Sequence, residues 1–439
     1  MSVPAALGDE TTSLLQQLIR FNTVNPPGNE LEAQTFLAEY LGDAGFDCEL
    51  VGVTRERPNL IARLPGKTEG RALAFLCHVD TVLAHPDEWS VDPWSGELRD
   101  DFVWGRGALD MKGQVASEVA AAASLARSGW RPATGELMLI ATCDEEAGAA
   151  LGARWLCENV PEKVRCDWVV NEGAGEALDF GGRRFYTLCV GEKGVFRFTL
   201  TTEGRAGHAS IPRIGDNALL RMVSVLNRLD GRQPAFDSYP AAEACMSALL
   251  GHSNGDPAEA LAEIRSIEGP LADLIEPMLG VTVAPTMIQA SEKENVIPSR
   301  CSVKVDCRVP PGFGEEHVRR RIDELIGSES DTGYSLQFDD DVVGNISSLE
   351  GPLAHAIDSF IQDNDPGAAI APFVLSGFTD SHWFRKAFPE CVAYGFFPQR
   401  AMTLYETTPL IHAPDERIAV DDLVFASNFY YVLPQKLLD

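Results

Sequence analysis

The sequence predicts an α/β protein in two parts: a central, mostly parallel sheet flanked by helices, interrupted by an inserted unit of half-exposed strands. Three observations predict it. Short, continuous apolar runs alternate with segments of helical periodicity over the first part of the chain. Near residue 194 the strand pattern switches to apolar–polar alternation. The 439 residues are also too many for one ordinary core. The expected division is 1–192 for the first part of the larger domain, 193–339 for the insert and 340–439 for the second part of the larger domain.

Asp9 is the expected N-cap of a first helix, in which Leu14, Leu15, Leu18 and Ile19 recur at helical spacing. Pro, Gly and Asn make 22–30 a loop. A second amphipathic helix carries Leu31, Phe36, Leu37, Tyr40 and Leu41 and stops near Gly42 or Gly45. Strands at 47–53 and 59–64 precede the run Arg71-Ala72-Leu73-Ala74-Phe75-Leu76-Cys77-His78-Val79-Asp80-Thr81. Such a run reads as a strand buried on both faces. Alternation puts His78 and Asp80 on one side, and open α/β sheets bind ligands beyond the carboxyl ends of their strands. The bland alternative is a buried histidine with Asp80 capping the next element.

A loop with Trp89, Asp92, Pro93 and Trp94 leads to Trp104-Gly105-Arg106-Gly107-Ala108-Leu109-Asp110-Met111-Lys112-Gly113 and an Ala-rich helix over 114–126. Asp110 stands at its entrance, where N-capping is the ordinary role. A strand over 136–142 ends in Cys143-Asp144-Glu145-Glu146, acids that a helix start would also accommodate. A helix through Trp155 and Leu156 follows, then a strand over 167–170 ending in Asn171-Glu172-Gly173. The insert opens with a half-exposed strand over 195–201 and the loop Gly204-Arg205-Ala206-Gly207-His208-Ala209-Ser210. A helix over 217–229, an irregular and partly helical stretch at 231–280, strands at 286–290 and 302–309, a helix at 315–326 and a strand at 334–339 complete it. The order βαββαβ is that of a ferredoxin-like unit.

Composition excludes several function classes. The hydrophobic fraction is 45% and the charged fraction 23%, a globular balance. A formal net charge of −29 argues against nucleic acid and against an anionic membrane surface as partners, while an acidic cleft concentrates cations. The ten cysteines include Cys77, Cys143, Cys189, Cys301 and Cys307 in strand-like apolar runs, and no C-x-x-C occurs, so reduced thiols and a cytoplasmic location are expected. No basic and apolar leader opens the sequence, and no apolar run has the length of a membrane span.

The polar groups just past buried strands form a set: His78, Asp80, Asp110, Glu145, Glu146, Glu172 and, later, His412. Carboxylates gathered in a cleft raise one another's pKa unless a cation neutralises them. Mixed imidazole and carboxylate donors suit zinc, with manganese or cobalt as alternatives.

The motifs Asn22-Thr23-Val24-Asn25-Pro26-Pro27-Gly28-Asn29-Glu30, Cys77-His78-Val79-Asp80-Thr81, Gly105-Arg106-Gly107 with Asp110-Met111-Lys112-Gly113, Asp144-Glu145-Glu146, Gly207-His208-Ala209-Ser210, Asn295-Val296-Ile297-Pro298 and His412-Ala413-Pro414-Asp415-Glu416 span nearly the whole chain. Together they resemble the M20 family of co-catalytic dizinc peptidases and deacylases. The resemblance implies a zinc-peptidase-like catalytic domain and an inserted ferredoxin-like lid and dimerisation domain. It implies that His78 and Glu172 bind one metal, Glu146 and His412 a second, and that Asp110 bridges them. Asp80 would orient His78, Glu145 would be the general base, and His208 an oxyanion donor, often from a partner subunit. Arg308 and Asn295 would bind a substrate carboxylate. The stretch Gly377-Phe378-Thr379-Asp380 resembles the family's Gly-Gly-Thr-Asp loop but departs from it at Phe378. His85 and His382 read as ordinary polar residues. The implied reaction is amide hydrolysis in an N-acyl amino acid or small peptide with two divalent metals, zinc first and cobalt or manganese as alternatives. A dipeptidase or carboxypeptidase is the rival within the class. A metal-dead binding protein on the same fold is the remote one.

Overall fold

Strand Ala72–His78 is buried along its whole length and lies inside the main sheet. The computed structural model describes residues 2–229 and 231–439, so Met1, the first residue of the expected leading segment, and Asp230 lie outside it. Contacts divide the chain into two units, one of Met1–Val190, Ser347–Phe373 and Thr379–Asp439, the other of Gly191–Ile346 and Val374–Phe378.

In the first unit the sheet runs in the order Asp47–Val51, Asn59–Pro65, Glu136–Thr142, Ala72–His78, Trp168–Asn171, Val392–Gly395, Arg183–Glu192, Glu176–Phe180, Gln399–Thr403. The four strands from Glu136–Thr142 to Val392–Gly395 are mutually parallel. Antiparallel pairs flank them on both sides. The parallel strands are largely apolar, as expected where helices cover both faces. Helix Lys112–Arg127 is almost wholly buried, and the run Ala120, Ala121, Ala122, Ala123 has no exposed surface. It packs against helices Leu7–Arg20 and Val420–Leu438, and small side chains allow that approach from several directions. The first helix starts at Leu7, not after Asp9. Asp9 and Glu10 lie in its first turn, where acids meet the positive end of the helix dipole, so the same residue signals the start one turn late.

The second unit has the order Thr282–Gln289, Arg300–Val309, Phe198–Glu203, Tyr334–Phe338, all antiparallel. Helices Ala218–Leu226 and Glu315–Ile326 complete a βαββαβ chain order. Phe198, Leu200, Val303, Val305 and Cys307 from the strands meet Met222, Val225, Val318 and Ile322 from the helices in one core. The strand expected at 195–201 is broken into Gly194–Val195 and Phe198–Glu203. The strand expected at 286–290 begins earlier, at Thr282, with an irregularity between Pro285 and Met287. It is an edge strand, where proline is tolerated. The stretch expected to be irregular and partly helical is helical over Pro240–Leu250, Pro257–Ile267 and Gly269–Ile275. Pro240 and Pro257 at first-turn positions, with the Asp256 side chain capping the second helix, are the start signals. No helix among the described residues is long and apolar enough to cross a membrane.

Leu200 has no exposed surface in this core. Leu200→Ala should cost about 2–5 kcal/mol, seen as a lower denaturation midpoint at unchanged slope.

Candidate metal centre

Strands Ala72–His78 and Glu136–Thr142 run parallel with His78 opposite Thr142, so their carboxyl ends finish level. Just beyond lie Asp80 on one and Glu145 and Glu146 on the other. Trp168–Asn171 is parallel on the opposite side of Ala72–His78 and hands over to Glu172. Gly395 of the next strand passes so close that a Cβ there would meet the Glu172 carbonyl oxygen at 1.9 Å. Thr142 Oγ1 donates to Asp380 at 2.6 Å, and Asn171 Nδ2 donates to Ser381 Oγ at 3.0 Å, so one short turn ties down both strand ends.

The acidic turn is shaped by Asp144 and Asp80. Asp144 sits in the left-handed region at φ 67, which non-glycine residues rarely adopt. Its Oδ2 accepts from Leu151 N at 3.0 Å. Asp80 then receives the next two backbone N–H groups, Glu145 N on Oδ1 and Glu146 N on Oδ2, each at 3.2 Å. His78 Nδ1 lies 3.0 Å from the Asp80 backbone carbonyl and 3.5 Å from its carboxylate. The carbonyl is thus the nearer partner of the imidazole, and the Asp80 carboxylate stands beside both the imidazole and the acidic turn. Once the ring is unprotonated, an Nδ1–H on that carbonyl leaves the Nε2 lone pair facing the centre.

Three carboxylates face that nitrogen. His78 Nε2 is 3.2 Å from Asp110 Oδ1, 3.6 Å from Glu172 Oε1 and 4.0 Å from Glu145 Oε2. His412 Nε2 is 3.0 Å from Asp110 Oδ2 and 3.3 Å from Glu146 Oε2. Each oxygen of Asp110 therefore faces a different imidazole. Asp110 is not a helix cap: helix Lys112–Arg127 follows Met111, with no side-chain cap. Its loop is held instead by Glu416, whose buried carboxylate accepts Leu109 N at 2.8 Å, Asp110 N at 3.0 Å, Gly107 N at 3.1 Å and Arg106 Nη1 at 2.6 Å. In the sequence Glu416 stands out only as the end of the motif His412-Ala413-Pro414-Asp415-Glu416, an acid four residues past a candidate ligand histidine.

Burial and mutual repulsion shift the groups of the cluster away from their ordinary pKa values. Burial, aided by the repulsion of Asp110, pushes the Glu172 carboxyl up to about 7. Burial and Glu172 push Glu145 well above the usual range, and burial raises Glu146. Burial alone would pull His78 down, but the charge of Glu172 and the close carboxylates of Asp110 and Asp80 push it well up. Hydrogen bonds to Asp110 and Glu146 push His412 to about 10. Burial opposes the ionised form of Asp110, yet the two imidazoles outweigh it and hold its carboxyl low.

These residues fit divalent metal. One donor atom each from His78, Asp110 and Glu146 lies within 4.8 Å of the others, and the same holds for His78, Glu145 and Glu172. His78 Nε2 and Glu146 Oε1 are buried with no hydrogen bond, an expense that a metal would remove.

The description "Peptidase family M20/M25/M40" belongs to the family model that matches residues 74–436. The chain belongs to this family. The metal-dependent hydrolase expected from the sequence is met at the level of this M20 family, and the α/β fold with it. A succinyl-diaminopimelate desuccinylase of Cereibacter sphaeroides is 32% identical over 427 residues, 94% of each chain. One from Parvibaculum lavamentivorans is 34% identical over 219 residues, and there the match spans about half of the relative, 53%. The solved M20 family metallo-carboxypeptidase Sso-CP2 from Sulfolobus solfataricus superposes with a TM-score of 0.72 over 98% of this chain and 99% of that one, at 18% identity.

The structure brings together His78, Asp80, Asp110, Glu145, Glu146, Glu172 and His412 in the first unit. The other three expected site residues belong to the second. His208 is exposed, and its Nδ1 accepts from Ser210 N at 3.2 Å, with Ser210 Oγ at 2.7 Å. Asn295 is exposed, and its carbonyl accepts from Ala209 N at 3.0 Å, next to the pairing of His208 with Val296. Arg308 pairs with Asp306, Nε to Oδ1 at 2.9 Å, which is the ordinary ion pair rather than a free fork. His85 is exposed, whereas His382 is buried, and burial together with Arg385 pulls it down to about 3, a neutral core imidazole.

A metal takes an imidazole only in its unprotonated form, so binding should expel protons. Calorimetric zinc titrations of metal-free protein at pH 7, in buffers of different ionisation enthalpy, should show net proton release and tighter binding as pH rises toward 10. The sign is set by His412: its folded pKa of about 10 exceeds the ordinary 6.5, so its proton stabilises the metal-free fold below 6.5 and that contribution fades as pH climbs through 10. Buffer-independent heats would contradict the protonated imidazoles.

Proposed function

We propose that this chain cleaves the amide bond of an N-acyl amino acid beside a free carboxylate, using two divalent metals, zinc first and cobalt or manganese as alternatives. The observation that carries this reading is Asp110, whose two oxygens lie 3.2 and 3.0 Å from two different imidazoles. That is the arrangement of a carboxylate that bridges two cations. His78 and Glu172 would hold one of them, and His412 and Glu146 the other. Metals at such a site supply a lowered water pKa and polarise the scissile carbonyl.

The remaining work falls to side chains. Glu145 takes a proton from the attacking water and returns it to the leaving amine, a task suited to a carboxyl raised by burial. Its neighbour Glu146 is aimed elsewhere because the Asp144 turn and the two N–H groups on Asp80 separate their directions. His208 suits an oxyanion donor. A backbone N–H donates to its Nδ1, so the neutral ring carries its hydrogen on Nε2. Asn295 and Arg308 would hold the substrate carboxylate, Arg308 after exchanging Asp306 for it. The desuccinylases among the relatives favour deacylation over dipeptide cleavage. The ten free cysteines favour a reducing compartment, the cytoplasm, and we place a homodimer contact in the second unit.

A panel of N-acyl amino acids, among them N-succinyl-diaminopimelate, and of dipeptides, assayed with zinc- or cobalt-loaded protein, decides between the two reactions. Turnover of dipeptides alone would replace the deacylase reading. Glu145→Gln should lose most turnover and keep its metals, whereas Glu146→Gln should also lose metal affinity; equal metal loss in both would overturn the assignment. His208→Ala should lower kcat about 100- to 1,000-fold with metal content unchanged, and sedimentation of the intact protein reads the dimer.

A further inference from the structure

The loop at 22–30 is rich in motif residues, yet none of the catalytic roles above uses it. Its side chains run into the acidic turn from behind. Asn25 is buried, and its Nδ2 donates to two carboxylates at once, Asp80 Oδ2 at 2.9 Å and Asp144 Oδ1 at 3.2 Å. Glu30 has no exposed surface and grips Arg57 in a fork, Arg57 Nη2 to Oε1 at 2.6 Å and Nε to Oε2 at 3.0 Å. The other arm of Arg57, Nη1, reaches Asp144 Oδ1 at 3.1 Å. The loop itself is tied to the strand that carries His78. Asn25 N donates to Thr81 O at 2.9 Å, Thr81 N donates to Thr23 O at 3.1 Å, and Thr23 Oγ1 donates to Val79 O at 2.6 Å.

Two carboxylates as close as those of Asp80 and Asp144 repel each other. Asn25 supplies two donors from one amide, and Arg57 supplies the cation. With both in place, Asp80 and Asp144 are held fixed, and Asp80 presents one oxygen to Glu145 N and the other to Glu146 N. We propose that Asn25 and Arg57, the latter anchored by Glu30, are positioning residues that set the angle at which Glu145 and Glu146 enter the metal centre. They touch neither substrate nor metal and act through Asp80 and Asp144. The inference rests on the reading of Glu145 as base and Glu146 as ligand. Partners that orient metal ligands typically contribute about 10- to 100-fold in metal affinity or activity.

The test uses Asn25→Asp, which keeps the shape but replaces the amide donor with a third carboxylate, and Arg57→Lys, which keeps charge but loses the fork. Zinc affinity is read by competition with a chromogenic chelator, and the cobalt-loaded proteins are compared by their visible absorption spectra. Both variants should bind zinc about 10- to 100-fold more weakly and change the cobalt spectrum, with kcat lowered by a similar factor and KM little moved. In a Glu145→Gln background, Asn25→Asp should still weaken zinc binding but should add little further loss of kcat, because the base it positions is already gone. Wild-type zinc affinity and cobalt spectrum in both variants would overturn the proposal, as would a kcat loss fully additive with Glu145→Gln. If Asn25→Asp does not fold, Arg57→Lys decides alone, since Arg57 is partly exposed and its replacement retains a cation. Failure of the base assignment is separate: it shows as an active Glu145→Gln enzyme, whatever zinc affinity the Asn25 and Arg57 variants have.

Discussion

Mutual repulsion among Asp110, Glu145, Glu146 and Glu172 is the constraint that organises the first unit. Four carboxylates crowd two imidazoles within a few ångströms, and burial strips away the water that would screen them. Such a cluster persists only if its backbone is held from outside and its charge is met from inside. The holding is done by groups that are themselves buried and saturated: Glu416 receives three backbone N–H groups and an arginine, and Asp80 receives the two N–H groups of the acidic turn. Removing one partner from such buried charge networks typically costs about 3–5 kcal/mol, far more than an exposed pair contributes.

The sheet determines why these residues meet at all. Parallel strands put all their carboxyl ends at one edge, so loops from distant parts of the chain empty into one place. Tight backbone approaches, such as Gly395 under the Glu172 carbonyl, leave no slack in where those loops begin. The centre is therefore as rigid as the core beneath it, while His412 and Glu172 remain partly open to a substrate.

Much of this was legible in the sequence, for identifiable reasons. Apolar runs ending in a polar residue mark the strands and the edge where they stop, so His78, Glu145, Glu146 and Glu172 could be placed before any coordinates. Asp110 and His412 depart from the strand-end reading: Asp110 comes six residues after Phe102–Trp104, and His412 follows helix Leu404–Thr407. Asp110 looks like a helix cap by position, and only the carboxylate of Glu416 behind it shows otherwise. The roles of Asp144 and Arg57 were not legible. A left-handed aspartate has no local sequence signature, and Arg57 pairs with Glu30 and Asp144 across folds that periodicity does not reveal. The stretch 231–280 reads as only partly helical for another reason: its helices are short, and their prolines read as breakers before they read as first-turn residues.

The carboxylate that fixes Asp110 comes from far away: Glu416 and Asp110 are 306 positions apart. A ribosome delivers the chain from its N-terminus, at roughly 5–20 residues each second. For most of synthesis, then, the emerging chain carries His78, Asp110 and the acidic turn without the residues that orient one and complete the other. The three parallel strands Glu136–Thr142, Ala72–His78 and Trp168–Asn171 are present in that interval, but Val392–Gly395 and the Glu416 carboxylate are not. His412 and Glu416 reach the chain together, so the residue that faces Asp110 and the carboxylate that holds its loop are both products of the last tenth of synthesis.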